Sequence, residues 1–240
     1  MRDASSNNLT KKPAFELSTR GRVAMVLLGY IPLVHVLMSV GCVLLVASRF
    51  GLTAAVLAGV ASIYLLPPLG VGLLRPNAWL TGQRYCAASS GFLRWWYTTQ
   101  WQVLFNRFPV LEEAIRLVPG LYSTWLRLWG AKVGGLVYWS PGVRVFDRPF
   151  LRIGDHVVIG ADTKICPHII VRGESGTELI LAPISIGAGA LVGGSTLLPA
   201  GVSIADCEQT PGGRPMAPFA DFRDGRHRRT TRFDREVHCE

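Results

Sequence analysis

The sequence predicts a two-part chain. An apolar helical hairpin able to cross a membrane comes first, with Trp-rich amphipathic helices behind it. A stack of short strands wound into about four coils follows. Three observations carry this. Apolar residues crowd the region before Pro76. Aliphatic residues then recur at intervals of six from Val133. A charged tail begins at Cys207. The organisation is therefore 1–22 polar segment, 23–75 hairpin, 76–130 amphipathic helices at the membrane interface, 131–206 repeat domain and 207–240 tail.

The 240 residues are 49 % hydrophobic and carry a formal charge of +9. The basic residues near the N-terminus flank apolar runs, which points to a membrane more than to a polyanion. No nucleic-acid-binding motif is present, so that class is set aside. The five cysteines include no C-x-x-C pair and are odd in number, which argues against a disulfide framework and for a reducing compartment.

Val23 to Ser48 holds no Asp, Glu, Lys or Arg. About 20 apolar residues span a bilayer as a helix, and a signal peptide's apolar core is shorter than this run. Pro32 is expected to kink it. A second uncharged run, Gly51 to Leu74, is interrupted by Pro67 and Pro68, and only Arg49 and Phe50 separate the two. Lys11, Lys12, Arg20 and Arg22 precede the pair, and Arg75, Arg84 and Arg94 follow it. The positive-inside rule then places both flanks in the cytoplasm, as for a bacterial inner-membrane protein.

Trp79, Trp95, Trp96, Trp101, Trp125 and Trp129 crowd the next region. Trp101, Leu104, Phe105 and Phe108 lie on one helical face. With Arg94 and Arg107 nearby, these helices are expected at the headgroup layer.

The repeat reads Val133, Trp139, Val145; then Ile153, Ile159, Ile165, Val171; then Ile186, Val192, Leu198, Ile204. Gly or Ala often follows, as at Gly134, Gly154, Gly160, Gly187, Gly193 and Ala205. One unit is a short strand and a corner. The aliphatic fills the coil, and the small residue lets the chain turn without a Cβ clash. Stacked coils pair their strands and bury what no single unit can bury.

This pattern resembles the hexapeptide-repeat acyltransferases. The stretch "LYSTWLRLWGAKVGGLVYWSPGVRVFDRPFLRIGD" is similar to the membrane-attached domains of poly-lysine-synthetase-type peptide synthetases. The resemblance covers about Trp125 to Pro215 and implies a left-handed parallel β-helix with three strands per coil. It implies a homotrimer with acyl-CoA, in the simplest case acetyl-CoA, bound between subunits. Gly193, Gly194 and Ser195, with Ala200 and Gly201, offer backbone access for it, and Arg214 in "GGRPMAP" is placed to meet a phosphate. No metal is implied. The acyl group passes to a hydroxyl or amine with a histidine as general base.

His168, in "CPHII" just before the break in the repeat at "RGESGTELILAPIS", is the candidate base. Imidazole suits the task because its pKa lies near neutrality. In sugar and antibiotic acetyltransferases of the family the base sits within the protruding loop, and this loop has no histidine. Asp147, about one coil earlier, is the candidate partner; Asp155 and Glu174 are alternatives. His156 is the second choice for the base, and Cys166 reads as a small buried residue. The acceptor is expected to be lipid-borne or apolar. Other readings stay open: amide-bond formation from a carrier-bound aminoacyl group, a γ-carbonic-anhydrase-like zinc hydratase, and a non-enzymatic platform. The hydratase needs three histidines, and the repeat domain offers only His156 and His168.

Overall fold

The computed structural model describes residues 19–73, 83–87, 89–173, 176–229 and 237–238. The polar segment before residue 19, Trp79, Glu174 and Cys239 lie outside the described residues.

Helix α1 (Thr19–Gly29) breaks at Tyr30, and α2 (Ile31–Gly72) restarts with Pro32 in its first turn. A missing N–H is harmless there. Within α2, Gly51 adopts φ 84°, ψ 177°, a conformation that glycine takes readily. The chain folds back at this point. His35 Nε2 meets the Ser62 carbonyl at 3.3 Å, and Gly59 lies against Val43. The stretch Thr19–Gly72 contains an 18-residue window of mean hydropathy 2.2 and is long and apolar enough to cross a membrane. Leu27, Leu37, Leu44, Leu57 and many neighbours are exposed, leaving an apolar belt of the kind that seeks lipid or a partner.

The expected interruption at Pro67 and Pro68 does not end the helix. Pro68 lacks the N–H that would bond the Tyr64 carbonyl. Trp125 Nε1 donates to that carbonyl instead, at 2.8 Å. An indole from a later helix thus repairs the gap.

Strand β1 (Gln83–Cys86) leads to α3 (Ser90–Arg107), whose N-cap Ser89 accepts from the Phe92 N–H at 3.2 Å. Short helices α4 (Val110–Arg116) and α5 (Leu121–Leu128) follow. Helix α3 is fixed to the apolar helices at three points. Trp96 Nε1 donates to the Met25 carbonyl at 3.2 Å, Tyr97 Oη donates to the Gly70 carbonyl at 2.9 Å, and Trp101 covers Gly70. Trp95, Trp125 and Trp129 depart from the expected headgroup role: they are buried in the joint between helices and coils. Their rings have more to gain from packing on other aromatic rings, as in the Trp125–Trp129 edge contact at 5.5 Å, than from a wet interface.

A Cβ on Gly70 would stand 2.6 Å from the Trp101 ring. Gly70→Ala should therefore push α3 away and destabilise the chain by about 1–3 kcal/mol. A lowered thermal midpoint in detergent would register this; an unchanged midpoint would refute the close packing.

The repeat forms three parallel faces. One stacks β2 (Lys132–Val133), β5 (Leu151–Ile153), β10 (Ile184–Ile186), β13 (Ser203–Ile204) and β14 (Ala220–Arg223), with β15 (Arg226–Arg229) antiparallel at the end. The second stacks β3 (Tyr138–Trp139), β6 (Val158–Ile159) and β11 (Leu191–Val192). The third stacks β4 (Arg144–Val145), β7 (Lys164–Cys166) and β12 (Leu197–Pro199). Registers match the aliphatic period: Val133 pairs with Ile153 and Ile153 with Ile186, Ile159 with Val192, and Ile165 with Leu198. The parallel stacking continues past residue 206, through bridges at Gln209 and Pro215 to β14.

Val171 leaves the ladder. It lies in β8 (His168–Gly173), which forms an antiparallel hairpin with β9 (Gly176–Leu181). The inward place above Ile153 goes to Ile186 instead. The break in the repeat is thus a β-hairpin. It joins a separate sheet in which β9 pairs with β1, and β1 with β16 (Val237–His238). Cys86 at the end of β1 is disulfide-bonded, whereas Cys42, Cys166 and Cys207 are free. This corrects the expectation of an undisulfided chain. Strand pairing between segments far apart in sequence leaves no cysteine spacing to read.

Candidate functional site

The site sits where the third face turns into the β8–β9 hairpin. Val145 pairs with Ile165, an offset of one coil. The corner after β4 therefore stacks against the corner after β7, and Asp147 comes beneath His168. Asp147 adopts φ 48° in the left-handed region, which Asp tolerates better than most residues. Its carboxylate is 2 % exposed and fully engaged. Oδ2 meets His168 Nδ1, and Oδ1 accepts from Trp95 Nε1 at 2.9 Å.

A carboxylate only accepts, so Nδ1 must carry the proton of this contact. That leaves Nε2 as the free nitrogen. The Trp95 ring lies 5.0 Å from the imidazole. Burial opposes the charged imidazolium. The Asp147 charge and hydrogen bond, with a smaller contribution from Cys166, outweigh it and push the His168 pKa up to about 11.

Cys166 Sγ lies 3.8 Å from Nδ1 and donates to the His168 carbonyl at 3.4 Å. It approaches the nitrogen already held by Asp147, not the free one, so it is badly placed as a nucleophile activated by this base.

The ground below the dyad is densely hydrogen-bonded. Arg148, 1 % exposed, donates to Glu112 through Nε at 2.8 Å, to Gln102 through Nη1 at 3.0 Å and to Asn106 through Nη2 at 3.1 Å. Its backbone N–H also reaches Gln102, at 2.8 Å. Glu112 in turn accepts from Tyr122 at 2.8 Å and Arg116 at 3.0 Å. A charge buried this deeply is tolerable only when paired and hydrogen-bonded, as here. The clamp joins α3, α4 and α5 to the corner that carries Asp147.

The remaining candidates lie elsewhere. His156 is exposed at a corner with φ 56°. Asp155 accepts from the Gly135 N–H at 2.6 Å, a turn role. Glu178 in β9, not one of the sequence candidates, is held by Arg84 in an ion pair of 2.5 Å. Among the described residues no group of three or more His, Cys, Asp or Glu is arranged to hold a metal.

Gly193, Gly194 and Ser195 form the corner between β11 and β12, a different corner of the prism from His168 within one chain. A Cβ on Gly193 would stand 2.4 Å from the Gly212 nitrogen, so coil stacking alone requires that glycine. Ser195 and Arg214 are exposed and available to a ligand. A groove of about 750 Å³ between α5 and the first coil, lined by Val118, Leu121, Leu136, Tyr138 and Trp139, does not include His168.

Sequence reasoning missed Trp95 as the second partner of Asp147, and Glu112 and Gln102 as partners of Arg148. The adjacency of Asp147 to Arg148 in "FDRPF" was the available signal: two charges at the corner of an apolar coil must each find a partner.

No protein-family model and no curated protein matches the chain. Solved structures do. A hexapeptide-repeat containing acetyltransferase of Vibrio cholerae O1 biovar eltor, complexed with acetyl coenzyme A, is 17 % identical. It covers 52 % of this chain and 84 % of its own, with a TM-score of 0.34. A maltose O-acetyltransferase of Clostridium difficile 630 is 15 % identical over 53 % of this chain and 86 % of its own, with a TM-score of 0.31. At such low likeness the chain's own residues must carry the functional reading.

Proposed function

We propose that the chain is a membrane-attached acyltransferase. It moves an acyl group, in the simplest case acetyl, from acyl-CoA to a hydroxyl or amine on a lipid-borne or apolar acceptor. The observation that carries this reading is the stacked His168–Asp147 pair at a β-helix corner, with Nε2 free.

In the proposed step His168 Nε2 takes the proton of the acceptor. The acceptor oxygen or nitrogen attacks the thioester carbonyl, the new C–O or C–N bond forms and the C–S bond breaks. The imidazolium returns its proton to the departing CoA thiolate. Asp147 keeps the other ring proton in place throughout.

The apolar acceptor is favoured by the surroundings. Tyr85, Phe92, Trp95, Phe150, Leu179 and Leu181 form a buried cluster beside His168, and Met25 of α1 packs against it. Exposed Ser195 and Arg214 are proposed CoA contacts, facing a neighbouring subunit of a homotrimer. The apolar helices are proposed to cross the membrane as a hairpin. The basic flanks favour a cytoplasmic catalytic domain, whereas the Cys86 disulfide favours an oxidising side. Labelling of Cys207 by an impermeant maleimide in intact cells decides between them.

Purified full-length protein in detergent, given acetyl-CoA and candidate apolar alcohols and amines, should release CoA thiol only when an acceptor is present. Absence of release and of acyl-CoA binding would overturn the reading.

The dyad also sets the pH profile. Only the neutral imidazole can act as base, and its fraction grows as pH rises through the raised pKa. Transfer should therefore climb through the alkaline range instead of levelling near the ordinary histidine value of about 6.5. Asp147→Asn, which removes the charge that raises the pKa, should abolish that alkaline limb. A wild-type limb at or below the ordinary value would contradict the role of Asp147.

A further inference from the structure

Nothing in the dyad itself explains why the Asp147 carboxylate presents Oδ2 to His168 in one fixed orientation. The second oxygen supplies the explanation. Trp95 Nε1 donates to Oδ1 at 2.9 Å from a side chain only 3 % exposed. Indole nitrogen can donate but not accept, so it admits only an acceptor atom at that spot. The contact is long-range in sequence, from α3 to the corner after β4. Its neighbours Trp96 and Tyr97 are fixed to the carbonyls of Met25 and Gly70.

We propose that Trp95 is a positioning residue: its N–H orients Asp147 so that His168 keeps its proton on Nδ1 and presents Nε2 to the acceptor. This rests on His168 being the base of the proposed acyl transfer. Because α3 is anchored on the apolar helices, the geometry of the dyad is set from the membrane-facing part of the chain.

The role makes an unusual demand on Asp147→Asn. An asparagine has one acceptor oxygen. Trp95 claims it, so the amide NH₂ faces His168 Nδ1. Nδ1 must then accept, the ring proton moves to Nε2, and the base is lost. If Trp95 is replaced by phenylalanine as well, the amide is free to flip. Its oxygen can turn to Nδ1–H and the productive tautomer returns.

The experiment compares Trp95→Phe, Asp147→Asn, the double variant and His168→Ala in acetyl-CoA thiol release by the detergent-solubilised full chain. Trp95→Phe should lower kcat about tenfold, the order of one hydrogen bond to a charged group, with KM unchanged. The double variant should be more active than Asp147→Asn alone. In parallel, ¹⁵N NMR of histidine-labelled protein should show the His168 proton on Nε2 in Asp147→Asn and back on Nδ1 in the double variant.

A double variant no better than Asp147→Asn, with the proton still on Nε2, would overturn the positioning role. So would full activity of Trp95→Phe beside an inactive His168→Ala. Full activity of His168→Ala would instead sink the acyl-transfer reading itself. The NMR comparison tests Trp95 whether or not an acceptor has been found.

Discussion

His168→Ala is expected to lower acyl transfer by about 10²–10⁴-fold, the range that a positioned general base contributes. The loss should fall on kcat, because in the proposed step the imidazole removes a proton in the transition state and adds little to ground-state binding. The fold should survive, since the ring is partly open to solvent and fills no core ladder. Asp147 would lose one partner but keep the Trp95 N–H. Steady-state thiol release, read beside a thermal melt, separates lost chemistry from lost structure. A variant that melts like wild type and retains full activity removes His168 from the mechanism.

Glu112→Gln is expected to have the largest effect on stability. Arg148 is 1 % exposed, and Glu112 is its carboxylate partner in the clamp. The same carboxylate takes Tyr122 and Arg116 on its other oxygen. An amide of the same shape cannot neutralise the guanidinium. It also turns an NH₂ toward a donor on one side or the other. Removing one member of a buried pair costs about 3–5 kcal/mol, because the remaining charge stays buried and unpaired. For a chain of this size that corresponds to a fall in thermal midpoint on the order of 10 °C. Replacing both Glu112 and Arg148 by methionine should be less damaging than Glu112→Gln alone, since no lone charge remains. A midpoint within a degree or two of wild type for Glu112→Gln would show that the clamp is not what joins helices to coils.

The coils were legible because a period of six is set by geometry at every turn. Ile153, Ile159 and Ile165 each occupy the same place on successive faces, and no side chain from elsewhere decides it. Asp147 was legible for the same reason. It sits one coil from His168, so stacking brings the two together whatever else the chain does. Val171 misled because it keeps the period for one step after the chain has already left the coil. It lies half-buried in a hairpin whose second strand pairs with β1, a strand more than eighty residues earlier. Trp95 was visible as an aromatic residue but not as a partner of Asp147, since its helix docks through tertiary packing and not through any local pattern. The proline pair at Pro67–Pro68 reads as a break in sequence. It is carried through because Trp125 supplies the missing donor to the Tyr64 carbonyl, a repair from a distant helix.

The central claim is acyl transfer to an apolar acceptor with His168 as the base. The most direct measurement presents isotopically labelled acetyl-CoA to the purified full-length chain in vesicles of total bacterial lipid. Mass spectrometry of the extracted lipids then locates the label. The account predicts label in an ester or amide of an extractable acceptor with the wild-type chain, and none with His168→Ala. Equal labelling by both proteins would contradict it.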